Sequence, residues 1–264
     1  MHARYQRRGG EDAVFEDEVA MLRDFGQHVE VFERHNDALA GRSPLRLARD
    51  TVWAPGPARE LASAIAAFRP DVIHAHNTFP SLSPALPWVA ARAAVPYVQT
   101  LHNFRLVCPQ GKLQRAGRAS MDCVGRLPLP AVRHACYRGS RAATSVVAAM
   151  LASHRALGTW QRKVARFIAL SEFSRGVFVA GGLPAGRIKV KPNFIADPVD
   201  GFGADSLDAT EVMPRTATDA IPRMAMVAVG RTRPGGGRAP WRATTRCSSS
   251  GGSWPTRASP RWRR

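Results

Sequence analysis

A chain of 264 residues, 45% of them hydrophobic and only four of them cysteine, has ample apolar material for an α/β core and no disulfide framework. The formal charge of +18 would suit a nucleic-acid partner, but nine of the 38 basic residues fall at positions 231 to 264 and the others are scattered without interleaved aromatics, so nucleic acid is not the partner expected. The N-terminus MHARYQRRGGED has no apolar signal region, and the longest weakly polar run, Ala142 to Ala152, is too short to span a bilayer. A cytoplasmic protein is expected, soluble or peripheral at the inner face of the plasma membrane.

Residues 11 to 25 set Val14, Phe15, Val19, Leu22 and Phe25 on one helical stripe, with Glu11 and Asp12 in the first turn where the helix dipole favours acids. Residues 28 to 32 (HVEVF) alternate like a strand. A helix is predicted over 58 to 68, with Leu61, Ile65 and Phe68 in register, ended by Arg69-Pro70. Next come a strand over 71 to 76 (DVIHAH), a helix over 86 to 94 and a strand over 96 to 102 (PYVQTLH). Residues 103 to 135 form a long loop rich in Gly, Pro, Arg and Cys, a length that is usually functional or disordered.

A helix follows over about 138 to 157, with Val146, Met150, His154 and Leu157 on one face. The strand 166 to 170, the helix 172 to 180 and the strand 188 to 191 close the pattern. Helix and strand alternate through short connections, the signature of a parallel sheet covered on both faces. Residues 197 to 222 read as a linker, 223 to 231 as a buried strand reaching a glycine turn, and 232 to 264 as a disordered basic tail. No internal repeat is apparent. In a doubly wound fold a buried strand precedes the first glycine turn. Here only seven residues, most of them polar, precede Arg8-Gly9-Gly10-Glu11, so the first strand is expected to be missing or a stub.

Gly9 and Gly10 ahead of Glu11 let a bound group approach the backbone and leave free N–H donors at a helix start, which suits a phosphate or a sugar hydroxyl. An ordinary turn has the same signature. His76 and Asn77 lie where one strand ends, and His102 and Asn103 where the next one ends. Ligands of open α/β sheets bind outside the carboxyl ends of strands, and His102 there could act as base or hydrogen-bond donor toward a hydroxyl. His74 reads as a buried structural histidine. Ser171 is a helix N-cap, and Glu172 beside it could face the cleft. Cys108, Cys123, His134 and Cys136 gather near the long loop; they could close a tetrahedral zinc site or stay free thiols, since no C-x-x-C pair is present.

Several stretches, in order, resemble the N-terminal domain of the retaining glycosyltransferases of family 4, of GT-B architecture. They are RYQRRGGEDAVFEDEVAMLRDFGQHVEVF, RPDVIHAHNTFPSLSP, VPYVQTLHNFRLVCP, DCVGR with HACYRGSR, FIALSEFSRGVFVAGGLPAGRIKVKPNF and VAVGR. The resemblance implies a Rossmann-like parallel sheet with helices on both faces, forming the acceptor side of a two-domain cleft. It implies transfer of a sugar from a nucleotide-sugar donor to a glycan or lipid-linked acceptor with retention, in work such as cell-envelope polysaccharide assembly. It also implies that no metal or other cofactor is needed.

By motif, Gly9 and Gly10 match the glycine loop near the donor phosphates, and His102 the histidine near the transferred sugar. Glu172 and Asn193 match cleft positions, and Arg231 matches the V-G-R arginine that opens the donor domain. The chain departs from the family after that arginine: the acidic E-x7-E pattern of the donor domain is absent, and the tail has the composition of a GC-rich gene read out of frame. An inactive or partial fragment is therefore expected. Other readings are a glycan-binding module without catalysis and a GT-B sugar-nucleotide epimerase relative; the epimerase also needs a second domain.

Overall fold

The computed structural model describes residues 1–6 and 8–194, so the linker, the following strand with Arg231, and the basic tail lie outside the described residues. Its first half runs β1 (His2–Arg4), α1 (Gly10–Asp24), β2 (Glu33–His35), α2 (Pro44–Val52), α3 (Pro55–Phe68), β3 (Ile73–Ala75), α4 (Leu86–Arg92) and β4 (Tyr97–Leu101). The second half continues with β5 (Gln114–Arg115), β6 (Arg118–Ala119), α5 (Leu129–Arg133), α6 (Arg141–Ala156), α7 (Thr159–Arg162), β7 (Arg166–Ala169), α8 (Glu172–Ala180) and β8 (Ile188–Val190).

The α/β expectation holds. Strands β3, β4, β7 and β8 form a parallel sheet in that order, and β1 pairs in parallel with β2. The two units are stitched together by backbone bonds from Met1 N to His74 O (2.6 Å), from His76 N to Met1 O (3.0 Å) and from Ala3 N to Asn77 O (2.7 Å). The strand surface thus continues as β2, β1, β3, β4, β7, β8, with the reversal of direction of winding between β1 and β3. In an open α/β sheet such a reversal is where ligands collect.

The first strand is the expected stub, though not for the reason given by its polarity. His2 and Ala3 are fully buried because the His2 ring pairs with Asp12 of α1. Residues 28 to 32 make no ladder; strand pairing begins only at Glu33, opposite His2. The stripe of α1 also differs from the expected one. Its buried face is Asp12, Phe15, Glu18, Val19 and Leu22, while Phe25 is exposed beyond the last turn. On α6 the inward face is Thr144, Val147, Ala148, Leu151 and His154 with Met150; Leu157 is exposed past the helix end.

Two cores result from the period-two alternation of the strands. Ile73, Ala75, Tyr97, Leu101, Phe167 and Ala169 point to one face, under Leu82, Leu86, Met150 and Leu151. Val72, Val98 and Ile168 point to the other, under Phe15, Val19 and Leu22 of α1.

Helix α2 was not anticipated, yet Ser43-Pro44 is a helix-start signal: Ser43 Oγ accepts from Arg46 N at 3.4 Å and proline occupies the first position. Its end is held by His154 of α6, whose Nε2 lies 2.9 Å from Val52 O while Nδ1 lies 2.8 Å from Thr159 Oγ1.

The segment after β4 is an ordered excursion rather than a structureless loop. It contains the β5–β6 hairpin and α5, and docks on the end of α8. At Gly125, φ is +71°, and an added Cβ would lie 2.7 Å from Ala180 O, so glycine is required both for conformation and for approach. Gly125→Ala should therefore destabilise the chain by about 1–3 kcal/mol, read as a lowered urea midpoint with unchanged slope.

Candidate functional site

The strand alternation that builds the α1-facing core turns polar toward the carboxyl ends. Val72, His74 and His76 succeed one another on one line, and Val98, Thr100 and His102 on the adjacent line. The apolar members meet Phe15 and Val19, whereas His74 and His76 meet Glu18 of the same helix. Register pairs His74 with Val98, so each histidine stands near the polar residue two positions along the neighbouring strand.

His74 Nε2 lies 2.7 Å from Thr100 Oγ1, and His76 Nδ1 lies 3.0 Å from His102 Nε2. The remaining nitrogens turn toward Glu18. His76 Nε2 is 2.9 Å from Glu18 Oε2, but off the line a hydrogen bond needs, and His74 Nδ1 is 3.8 Å from the same oxygen. Among the described residues neither Glu18 Oε2 nor His74 Nδ1 has a hydrogen-bond partner. The other oxygen, Oε1, takes the ammonium of Lys191, which follows β8.

Burial, above all, holds these imidazoles below the ordinary histidine value. It lowers His74 and His76 strongly, reinforced by each one's neighbouring imidazole, His76 for the first and His102 for the second. His102 is lowered by burial more than Glu11 and Glu18 raise it. His2 is lowered by burial although Asp12 opposes the shift. At Asp12 burial raises the carboxyl, but the Gly9 N–H and His2 together outweigh it and hold Asp12 below the usual carboxylate range.

The glycine turn meets this edge. Asn103 Nδ2 donates to Glu11 Oε1 at 2.9 Å, and Tyr5 Oη donates to Glu11 Oε2 at 2.9 Å. His102, Asn103, Gly9, Gly10 and Glu11 are therefore brought to one place. A Cβ at Gly10 would enter open space, so packing within the described residues does not call for glycine there.

Other sequence candidates fall differently. Asn77 is a structural clamp: Nδ2 donates to Ala3 O at 2.8 Å and Oδ1 accepts from Phe79 N at 3.1 Å. Ser171 caps α8 as expected, accepting from Ser174 N at 3.2 Å. Glu172 is exposed at that helix start, 3.5 Å from Arg175, and Asn193 is exposed after β8. Cys108, Cys123 and Cys136 line one cavity, but His134 is exposed at the end of α5 and does not line it. Burial raises the Cys123 and Cys136 thiols.

Glu18 and Lys191 had not been singled out. Glu18 could have been found, because an acid between Phe15 and Leu22 on an apolar stripe is anomalous. Lys191 offers no such signal: its partner lies 173 positions away.

Residues 8–197 match the sequence profile of Glycosyltransferase Family 4. The chain belongs to that family. The match covers the α/β unit that carries the glycine turn, His102 and the edge between them. No curated protein matches the chain. Among the described residues no helix is long and apolar enough to cross a membrane.

The depressed histidines have a consequence for stability. Below their ordinary value near 6.5 the unfolded chain takes up protons that the folded chain refuses, so stability is fully present above that pH and is lost as pH falls. The urea midpoint should drop between pH 7 and pH 5, and proton uptake on unfolding, followed by calorimetry in buffers of different ionisation enthalpy, should exceed one proton in that window.

Proposed function

We propose that the chain supplies the acceptor-side half of a retaining glycosyltransferase, acting on a nucleotide-sugar donor and a glycan or lipid-linked acceptor. The observation that carries this reading is the Asn103–Glu11 hydrogen bond, which fastens His102 at the end of β4 beside the Gly9-Gly10 helix start. The family resemblance implies that those two features meet at the sugar being transferred. The Gly9 N–H is taken by Asp12, so it is the remaining backbone N–H donors of the helix start that would meet anionic or hydroxyl-bearing groups, while His102 meets the hydroxyl chemistry.

In this reading His102 is the catalytic residue, a hydrogen-bonding partner for the sugar being transferred. It is neutral at pH 7 because burial disfavours the imidazolium, so it can accept as well as donate. Glu11 is held by Tyr5 and Asn103 and so positions the helix start. Glu172 and Asn193 stand exposed at the ends of β7 and β8, where they border the cleft. The leaving diphosphate is stabilised by cationic and backbone donors without a metal, and Arg231 belongs to that set. In this reading the Gly9-Gly10 helix start supplies backbone donors from one side and the donor domain supplies the cationic set from the other, so the acceptor side alone binds without turning over. Its place is cytoplasmic, with peripheral contact to a membrane that presents lipid-linked acceptor.

The purified 264-residue protein should release no nucleoside diphosphate from a panel of nucleotide sugars, with or without acceptor. It should bind glycan or lipid-linked glycan saturably, with the same affinity whether or not nucleotide is present. Measurable turnover would overturn the division of labour. Affinity for duplex DNA that falls steeply with salt, with no glycan binding, would replace the reading by a nucleic-acid one. In a two-domain relative carrying this acceptor unit, His102→Ala should lower kcat by roughly 10²–10⁴-fold with KM little changed.

A further inference from the structure

Beneath the His102 edge, three ligand-type atoms converge on one small space. Glu18 Oε2, His74 Nδ1 and His76 Nε2 lie within 4.8 Å of one another, and all three side chains are at least nine-tenths buried. Two of these atoms, Glu18 Oε2 and His74 Nδ1, have no hydrogen-bond partner among the described residues, and leaving such atoms bare is costly in an interior. A small cavity whose walls include Phe15, Val19 and Val31 reaches these three residues.

The outer nitrogens of both rings are already engaged, His74 Nε2 by Thr100 Oγ1 and His76 Nδ1 by His102 Nε2. That is how metal-bound histidines are held: the far nitrogen is anchored by a neighbour, which fixes ring orientation and leaves the near nitrogen's lone pair free. Burial keeps both imidazoles neutral near pH 7, the form that ligates. Lys191 occupies only Oε1 of Glu18, leaving Oε2 to the space between the rings.

We propose that Glu18, His74 and His76 bind one first-row divalent metal ion, zinc by their nitrogen and oxygen chemistry, at a structural site under the sugar-facing edge. Two histidines and one carboxylate make a three-protein-ligand set with room for a water. The ion would clamp α1 to β3, joining elements that otherwise meet there through unsatisfied polar atoms. It would also place the His76 proton on Nδ1, so that His76 donates to His102 Nε2 and sets the tautomer of His102. That last consequence rests on the reading of His102 as catalytic; the metal site does not.

The test uses the full 264-residue chain, stripped with a chelator and then exposed to zinc alone. One equivalent should be retained, measured by plasma mass spectrometry after gel filtration. Cobalt in its place should give visible d–d bands without the near-ultraviolet thiolate charge-transfer band that Cys108, Cys123 or Cys136 would produce. Thr100→Val removes only the partner of His74 Nε2 and should weaken zinc binding about 10–100-fold, and Glu18→Gln should weaken it further. The combined Cys108→Ser, Cys123→Ser and Cys136→Ser variant should bind as the parent does. If Glu18→Gln does not fold, the cobalt spectrum and Thr100→Val decide. No retained zinc at tenfold excess, a thiolate band on cobalt, or unchanged affinity in Thr100→Val would each overturn the proposal. All of these readouts stand apart from sugar transfer, so they hold or fail independently of the enzymatic reading.

Discussion

The arrangement of the molecule depends on a carboxylate buried in the wrong kind of place. Glu18 lies on the inward stripe of α1, where Phe15, Val19 and Leu22 drive the helix onto the sheet. A carboxyl group there is tolerable only if charge and polar partners meet it from the other side. They come from three strands: His74 and His76 from the end of β3, His102 one ring further out from β4, and the Lys191 ammonium from just past β8. The position of α1 along the sheet is thereby set by chemistry as well as by apolar packing. Sliding the helix by one turn would put Glu18 into the apolar cluster that Phe15, Val19 and Leu22 form with the sheet.

That constraint also explains the shape of the upper edge. Because α1 is anchored through Glu18 and Asp12, its first turn with Gly9 and Gly10 is delivered next to the β4 end, and Glu11 reaches Asn103. The glycine turn and the His102 edge are thus carried on a buried polar layer. The long excursion between β4 and α6 leaves that edge and packs against the end of α8, where Gly181 leaves space for Val107 and Gly125 for Ala180 O.

Much of this was legible in the residues. The alternation in DVIHAH and PYVQTLH announces parallel strands, and also, read at period two, that Val72, His74 and His76 share a face with Val98, Thr100 and His102. Reading the histidines only as strand-end residues hid this, and with it the pairing of His74 to Thr100. The N-terminal stub was harder to recognise. His2 looks solvent-seeking, yet it is fully buried because Asp12 sits ten positions on, one helix start away. Helix α2 was signalled by Ser43-Pro44, but its sparse apolar content gave the periodicity little to show. The stripes of α1 and α6 were displaced at their last turns because Phe25 and Leu157 continue the helical spacing beyond the point where the sheet stops covering them.

By itself the sequence determined the α/β class, the order of most elements, the family, and the residues that meet at the ends of the strands, because those properties follow from local periodicity, turn chemistry and ordered motifs. The tertiary structure decided which of those residues stand together at one edge and which are held in packing or left apart from it. Asn77 became a backbone clamp, Glu172 and Asn193 stayed exposed, and Glu18 entered the interior to meet the half-buried Lys191 173 positions away. No local signal encodes such a pairing. It exists only where the winding of the sheet brings the ends of β3, β4 and β8 together above one face of α1.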